Sequence, residues 1–444
     1  MRPVVLSGGT VLTLDASNRV LHPGAVRVEG DRITDVGPAD DVPTAGAERI
    51  DARGTVLLPG LFNAHTHLYS TLARGLAPLG PAPSSFREIL ERLWWRWDRL
   101  LDDEAVARNA EAGLIESVRR GVTAVNDHHS GPNAIASSLD RIAEAALAIG
   151  VRVALGYEVS DRDGAEARDA GLEENRRFAL RAADEAHPLL TATIGAHASF
   201  TLSEETLGQL ASLMAEVGRP VHIHVDEGPE DAEDARARGH RSTVARLARA
   251  GIVREGTLVV HAVHADAEDI DILARAGVFV VHNPRSNGAN AVGRAPLGAF
   301  LRSGVRLAVG TDGMSGDPAA DAAVAGAVHR MAERDRSIPF DLPFRLAWEG
   351  NVWLAGSLFG KRMGALAPGY AGDVVAYRYD PPAPIRPESV AAHWQLGIAS
   401  LPAEHVVVGG EPVLVDRRFL KIDEEEVLER ARECAERLRK AFHS

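Results

Sequence analysis

The 444-residue sequence predicts an α/β protein: a (β/α)8 TIM barrel with a small β-sandwich domain formed by both chain ends. Three observations carry this. Short apolar runs alternate with helix-like stretches from Val56 to about Phe359, eight runs in all. Both ends read as short strands punctuated by glycine turns. Polar side chains, histidines above all, stand where the apolar runs end, which is where barrels place their functional groups.

The elements follow in order. Val4–Leu6, Thr10–Leu14, Ala25–Glu29 and Arg32–Val36 read as strands, with Gly8-Gly9 and Gly30 at turns. The eight apolar runs are Val56–Asn63, Val122–Asn126, Val151–Gly156, Ala192–Ala196, Pro220–Val225, Thr257–Val260, Val278–Val281 and Val305–Gly310. Amphipathic stretches such as Ala105–Arg119, Ser138–Ala148, Glu204–Val217 and Ala267–Arg275 lie between them. An open doubly wound sheet usually has fewer strands, so a closed barrel is expected. After Ala365 the pattern returns to strands, Asp373–Tyr377, His405–Val408 and Pro412–Val415, and Glu424–Phe442 reads as an amphipathic helix. The expected domains are 1–57, the first part of the sandwich; 58–364, the barrel; and 365–444, the rest of the sandwich with the terminal helix.

Composition narrows the function. A net charge of −13 disfavours nucleic acid and anionic membranes, which reward Lys/Arg clusters. No apolar run approaches the roughly 18 residues of a membrane span. The first fifteen residues lack the pattern of a signal peptide. Cys434 stands alone, so no intrachain disulfide forms and a cytoplasmic protein is expected. The only lysines are Lys361, Lys421 and Lys440.

The strand ends carry the chemistry. His65-Thr66-His67 places two imidazoles on one face of a strand, where both can reach one ion. His222-Ile223-His224 repeats the spacing on the fifth strand, and Glu227 follows within reach of the same ion as a proton carrier. Asp312, before Gly313 at the end of the eighth strand, offers a carboxylate; a turn residue is the bland alternative. Three histidines and one aspartate leave room for water on a four- or five-coordinate ion. Such water ionises near neutral pH, so hydroxide can attack an electrophilic carbon, with His261 polarising the reacting group.

Several segments resemble the amidohydrolase superfamily, in its cytosine deaminase/chlorohydrolase (TRZ/ATZ) branch: PGLFNAHTH from Pro59, HIHVDE from His222, VVHAVH from Val259, VHNPRSN from Val281 and VGTDGMSGD from Val309. LWWRWDRLLDDE from Leu93, DHHS from Asp127 and IGAHASFT from Ile194 are most similar to the SsnA-type aminohydrolases, whose substrates are poorly defined. The resemblance covers nearly the whole chain. It implies His65, His67, His224 and Asp312 as metal ligands, with His224 chosen over His222 because Glu227 lies three residues on. It implies Glu227, His261 and Asp312 as the catalytic groups. Binuclear members of the superfamily use a carboxylated lysine on the fourth strand. No lysine precedes Lys361, so one divalent metal per chain is expected, zinc first, with iron or manganese open.

His197, Arg285, Trp94 and His129 are the expected substrate contacts. For Arg285 a loop ion pair is the alternative, and for the Trp94, Trp95 and Trp97 stripe it is core packing. The expected reaction is hydrolytic deamination of an amino-substituted N-heterocycle, purine- or pyrimidine-like. A chloro-heterocycle or cyclic-amide hydrolase would use the same site, and a metal-loaded binding protein without turnover is the remote alternative. A homodimer is the expected assembly.

Overall fold

The computed structural model describes residues 2–313, 315–333 and 338–444; Met314, within the VGTDGMSGD segment, lies outside them. The two ends of the chain meet in one nine-stranded sheet. Thr55–Pro59 is its hinge, pairing parallel with Val4–Leu12 on one side and antiparallel with Val374–Arg378 on the other. Strand alternation decides what is buried on each face. Val4, Leu6 and Val11 pack with Val26, Val374 and Val407, whereas Val5 turns the other way onto Ala25, Val42 and Ala47.

The run Val56–Asn63 is therefore two strands rather than one. Thr55–Pro59 belongs to the sheet of the chain ends, and the first barrel strand, β1, is Leu61–Thr66. The switch falls at Gly60, later than the expected boundary after residue 57. A Cβ on Gly60 would lie 2.0 Å from Thr123 Oγ1, so only glycine lets the chain cross here.

The remaining barrel strands are β2 Val122–His129, β3 Arg152–Tyr157, β4 Ile194–Ala198, β5 Val221–Val225, β6 Leu258–His261, β7 Phe279–His282 and β8 Arg306–Val309. A short strand, Leu190–Ala192, runs into β4 and pairs with β3. Parallel pairing joins β1 through β3 and β4 through β8. Two seams connect these segments. Val159, just past β3, bridges Ala196 of β4, and its carbonyl accepts the His197 N–H. Thr66 bridges Asp312, and the His65 carbonyl accepts the N–H groups of Thr311 and Asp312. That second seam ties the two metal-ligand candidates at β1 and β8 into one backbone unit.

The helices begin as their sequences dictate. Asp102 caps Asp103–Arg119 and Ser203 caps Glu204–Val217, each side chain accepting an N–H of the first turn. Glu424–His443 buries Val427, Ala431, Cys434, Leu438 and Phe442 in a stripe at helical spacing and packs on Asp103–Arg119. The terminal helix thus docks on the barrel. The end sheet is pinned to the barrel by Arg152, fully buried, whose Nε and Nη2 each lie 2.9 Å from an Asp373 carboxylate oxygen. No helix among the described residues is long and apolar enough to cross a membrane.

Candidate metal centre

His65 and His67 stand at the end of β1, and their Nε2 atoms lie 3.6 and 3.0 Å from Asp312 Oδ1. From β5, His224 brings its Nε2 to 3.2 Å from that of His67. His222 lies deeper, its Nε2 2.8 Å from His65 Nδ1, and so faces a ligand candidate rather than the centre. Two groups have ligand atoms all within 4.8 Å of one another: His65, His224, His261 and Asp312, and His65, His67, His128 and His224.

Hydrogen bonds from the far side of two rings fix their orientation. His67 Nδ1 donates to the His128 carbonyl at 2.6 Å, and His224 Nδ1 donates to the His197 carbonyl at 2.7 Å. With Nδ1 so engaged, the Nε2 of each ring is directed at Asp312 or its neighbour and is the atom that would bind a cation. His65 Nε2 and His261 Nε2 are buried without a hydrogen-bond partner. Orphaned buried nitrogens are costly, and so many around a single carboxylate fit a cation held between them.

The charge pattern agrees. Burial pulls His67 down, but Asp312 and Glu158 beside it carry the ring up to about 9. Burial lowers His65 to about 3. Although burial opposes it, the imidazoles of His65 and His67 beside it hold the Asp312 carboxyl well below the usual range. Nitrogen and carboxylate donors suit zinc, iron and manganese alike.

Glu227 sits beside this cluster, 3.4 Å from His261 Nε2 through Oε2. Burial first, and then the Asp312 charge, push its carboxyl well above the usual range. A carboxyl with raised proton affinity next to a cation site suits proton delivery. His261, Asp226 and Asp312 all take left-handed backbone angles, with φ of 72°, 50° and 54°. Strained residues of this kind persist where packing over-determines them; His261 and Asp312 face the ligand candidates, whereas Asp226 accepts the Thr243 hydroxyl.

A cleft of about 720 Å³ opens onto the ligand candidates and reaches from Glu227 to Glu158. His197 and Trp94, two of the expected substrate contacts, line it. Trp95 lines it as well, whereas Trp97 is fully buried and donates its indole N–H to the Tyr69 carbonyl. Arg285 points elsewhere: Nη2 lies 2.5 Å from Asp321 and 2.7 Å from Ser315 Oγ. This is the loop ion pair, not a cleft contact. His129 is likewise behind the wall, buried between Tyr69 and Tyr157 with ring centroids 6.0 and 5.9 Å away.

Sequence reasoning assigned no role to Glu158, Arg162, Ser286 or Asn290, all of which line the cleft. Glu158 was visible only as a polar group ending β3. It is pushed up to about 7, chiefly by burial. Arg162 stacks over Trp95 at 5.4 Å and pairs with the buried Asp98. Nothing in its local sequence marks it.

The model of the amidohydrolase family matches residues 56–413. A 5-methylthioadenosine/S-adenosylhomocysteine deaminase of Desulforudis audaxviator is 32% identical over 422 residues, 94% of this chain and 95% of the relative. A 5'-deoxyadenosine deaminase of Methanopyrus kandleri is 30% identical, with 86% of each chain covered. Among solved structures, a zinc-bound adenosine deaminase from Xanthomonas campestris superposes with a TM-score of 0.86 at 26% identity over 98% of each chain. An atrazine chlorohydrolase from Arthrobacter aurescens shares the fold, with a TM-score of 0.83 at 24% identity over 97% of this chain and 100% of that one. With the barrel, the strand-end ligand set and these matches in agreement, the chain belongs to the amidohydrolase family.

Proposed function

We propose that the protein is a metal-dependent hydrolytic deaminase of an adenine-type heterocycle. The observation that carries the reading is the convergence of His65, His67, His224 and Asp312: Asp312 Oδ1 lies 3.6 Å from His65 Nε2 and 3.0 Å from His67 Nε2, His224 Nε2 lies 3.2 Å from that of His67, and the buried Glu227 stands beside them, 3.4 Å from His261. The deaminase relatives at 30% identity or more, spanning most of the chain, support an aminopurine over other rings.

In this reading the three histidines and Asp312 hold one divalent ion, zinc by analogy with the zinc-bound deaminase structure. When bound, the ion acts as a Lewis acid and makes water nucleophilic near neutral pH. The residues then divide the proton traffic. His261 Nε2 and Asp312 accept from the attacking water. Glu227 protonates the ring nitrogen next to the amine-bearing carbon as the water oxygen bonds to that carbon. The proton of the newly added hydroxyl then passes through Glu227, now ionised, to the amine, the C–N bond breaks, ammonia leaves with the carbonyl product behind, and the proton first taken from water returns to Glu227. Amine departure needs an acid; chloride departure does not, which favours deamination over dechlorination at this site. His197 and Trp94 hold the heterocycle in the cleft. A homodimer in the cytoplasm completes the proposal.

The test is ammonia release by zinc-loaded protein from adenosine, 5'-methylthioadenosine, S-adenosylhomocysteine and 5'-deoxyadenosine, with guanine, cytosine and a chlorotriazine alongside. Turnover of an adenine-type compound supports the reading. Chloride release alone, or no turnover of any amino-heterocycle, refutes it.

A further inference from the structure

The helix Pro284–Ala289 follows β7 and is too short to contribute much stability of its own. Asn287 and Asn290, three residues apart, lie on the same side of this turn. Asn287 Oδ1 is 2.8 Å from His261 Nδ1. Asn290 Nδ2 is 3.2 Å from Glu227 Oε1 and 3.3 Å from Ser286 Oγ. One element, outside the ligand set, therefore reaches both groups assigned to move protons. It belongs to the VHNPRSN segment, to which the reaction scheme gives no task.

We infer that Asn287 and Asn290 are positioning residues that decide which atoms of His261 and Glu227 carry protons. The inference rests on the deaminase reading for its chemistry. Amide oxygen can only accept, so Asn287 draws the proton of neutral His261 to Nδ1 and leaves Nε2 bare. That bare nitrogen faces Glu227 Oε2 at 3.4 Å and Asp312 Oδ2 at 3.7 Å. Asn283 Nδ2 also approaches His261 Nδ1, at 3.5 Å, but the shorter contact governs. Amide nitrogen can only donate, so Asn290 occupies Glu227 Oε1 and leaves the acid proton on Oε2. The result is an aligned pair, Glu227 O–H toward His261 Nε2, into which the attacking water inserts. Without Asn287, His261 can place its proton on Nε2 and close that position as an acceptor. Buried side chains hold the arrangement: Asn287 is 2% exposed and His261 0%.

Two readouts test it. The first is the histidine tautomer, read from long-range 15N–1H correlations of zinc-loaded, ring-labelled protein and assigned with His261→Gln. His261 should show the Nδ1–H form in wild type and in Asn287→Asp, which retains the acceptor, and should lose it in Asn287→Leu. The second is turnover on the best heterocycle. Loss of an outer-shell partner typically costs about 10- to 100-fold. Asn287→Leu should lose about that in kcat with KM and zinc content unchanged, and Asn287→Asp should recover most of it. Asn290→Leu should also lower kcat at unchanged zinc content. An Nε2–H ring in wild type, or full kcat in Asn287→Leu, overturns the inference. So does equal loss in Asn287→Leu and Asn287→Asp, which marks a purely structural role. If wild type releases ammonia from nothing, the deaminase reading fails, while the tautomer measurement still decides the role of Asn287.

Discussion

Replacing Glu227 by glutamine isolates proton transfer from binding. Glutamine keeps the shape and can still accept from Asn290 Nδ2, which lies 3.2 Å from Oε1 in the native side chain. The change falls on Oε2, 3.4 Å from His261 Nε2. There a carboxyl whose hold on its proton burial strengthens becomes an amide that donates a hydrogen bond but cannot release or regain a proton. General acid–base catalysis is typically worth about 10² to 10⁴ in rate. At about 1.36 kcal/mol per tenfold, that is roughly 2.7 to 5.4 kcal/mol of barrier. The upper half of the range is expected, because in the proposed scheme the same carboxyl serves both the ring nitrogen and the leaving amine. Glu227 is not in either convergent ligand group, so the metal should remain. The assay is steady-state ammonia release beside elemental analysis of the same sample. A variant with full metal and more than a tenth of wild-type kcat refutes the assignment, and a variant that has lost its metal refutes the separation of Glu227 from the ligands.

Three other outcomes follow from the structure. Elemental analysis of wild type should give one divalent ion per chain, since no lysine precedes Lys361, and His67→Ala should bind none; two ions per chain would overturn the mononuclear site. Asp373→Ala should cost about 3–5 kcal/mol in denaturant unfolding, because it strands the fully buried Arg152 guanidinium; a loss under 1 kcal/mol would show that the barrel does not depend on this tie. Asp321, raised to about 6 by burial despite Arg285, binds its proton more tightly folded than unfolded, so its contribution to stability is present below about pH 4 and is lost as pH rises through about 6. Stability measured against pH should therefore shift in favour of Asp321→Asn over that window, and parallel curves for the two proteins would contradict it.

Much of the molecule was legible because barrel strands repeat a simple pattern. Buried parallel strands are continuous apolar runs, and their ends must face the same rim, so His65, His67, His224, His261 and Asp312 could be placed on one rim before any coordinates. The failures have local causes. The run Val56–Asn63 looks like one strand because both of its halves are buried, and nothing in hydropathy separates a strand of the end sheet from a strand of the barrel. The tryptophan stripe could not be phased because Leu90–Trp94 forms a π-helical turn, which changes the helical step just before Trp95. That change puts Trp94 and Trp95 on the cleft and Trp97 in the core. Arg285 was ambiguous since its partner, Asp321, lies on a helix 36 residues later. His129 and His128 end the same strand, so alternation sends one toward the ligands and the other behind Tyr69.

The site's charge also explains why these ligands suit deamination. Asp312 is the one carboxylate in the ligand set, and its low pKa keeps it ionised. Burial pushes the Glu227 carboxyl well above the usual range and Glu158 up to about 7, which lessens the negative charge they add at neutral pH. The surrounding histidines are neutral donors once their Nε2 atoms face a cation, because their Nδ1 protons are tied to the carbonyls of His128 and His197. A divalent ion held by His65, His67, His224 and Asp312 would meet a single ionised carboxylate and would supply positive potential to the cleft in a buried, weakly screened space. Such a field favours ionised water and the negative charge that builds when water adds to an aromatic ring, and it opposes substrates that arrive as cations. A neutral aminopurine meets those conditions. It also brings a basic ring nitrogen that can receive the Glu227 proton once the ring has entered the cleft.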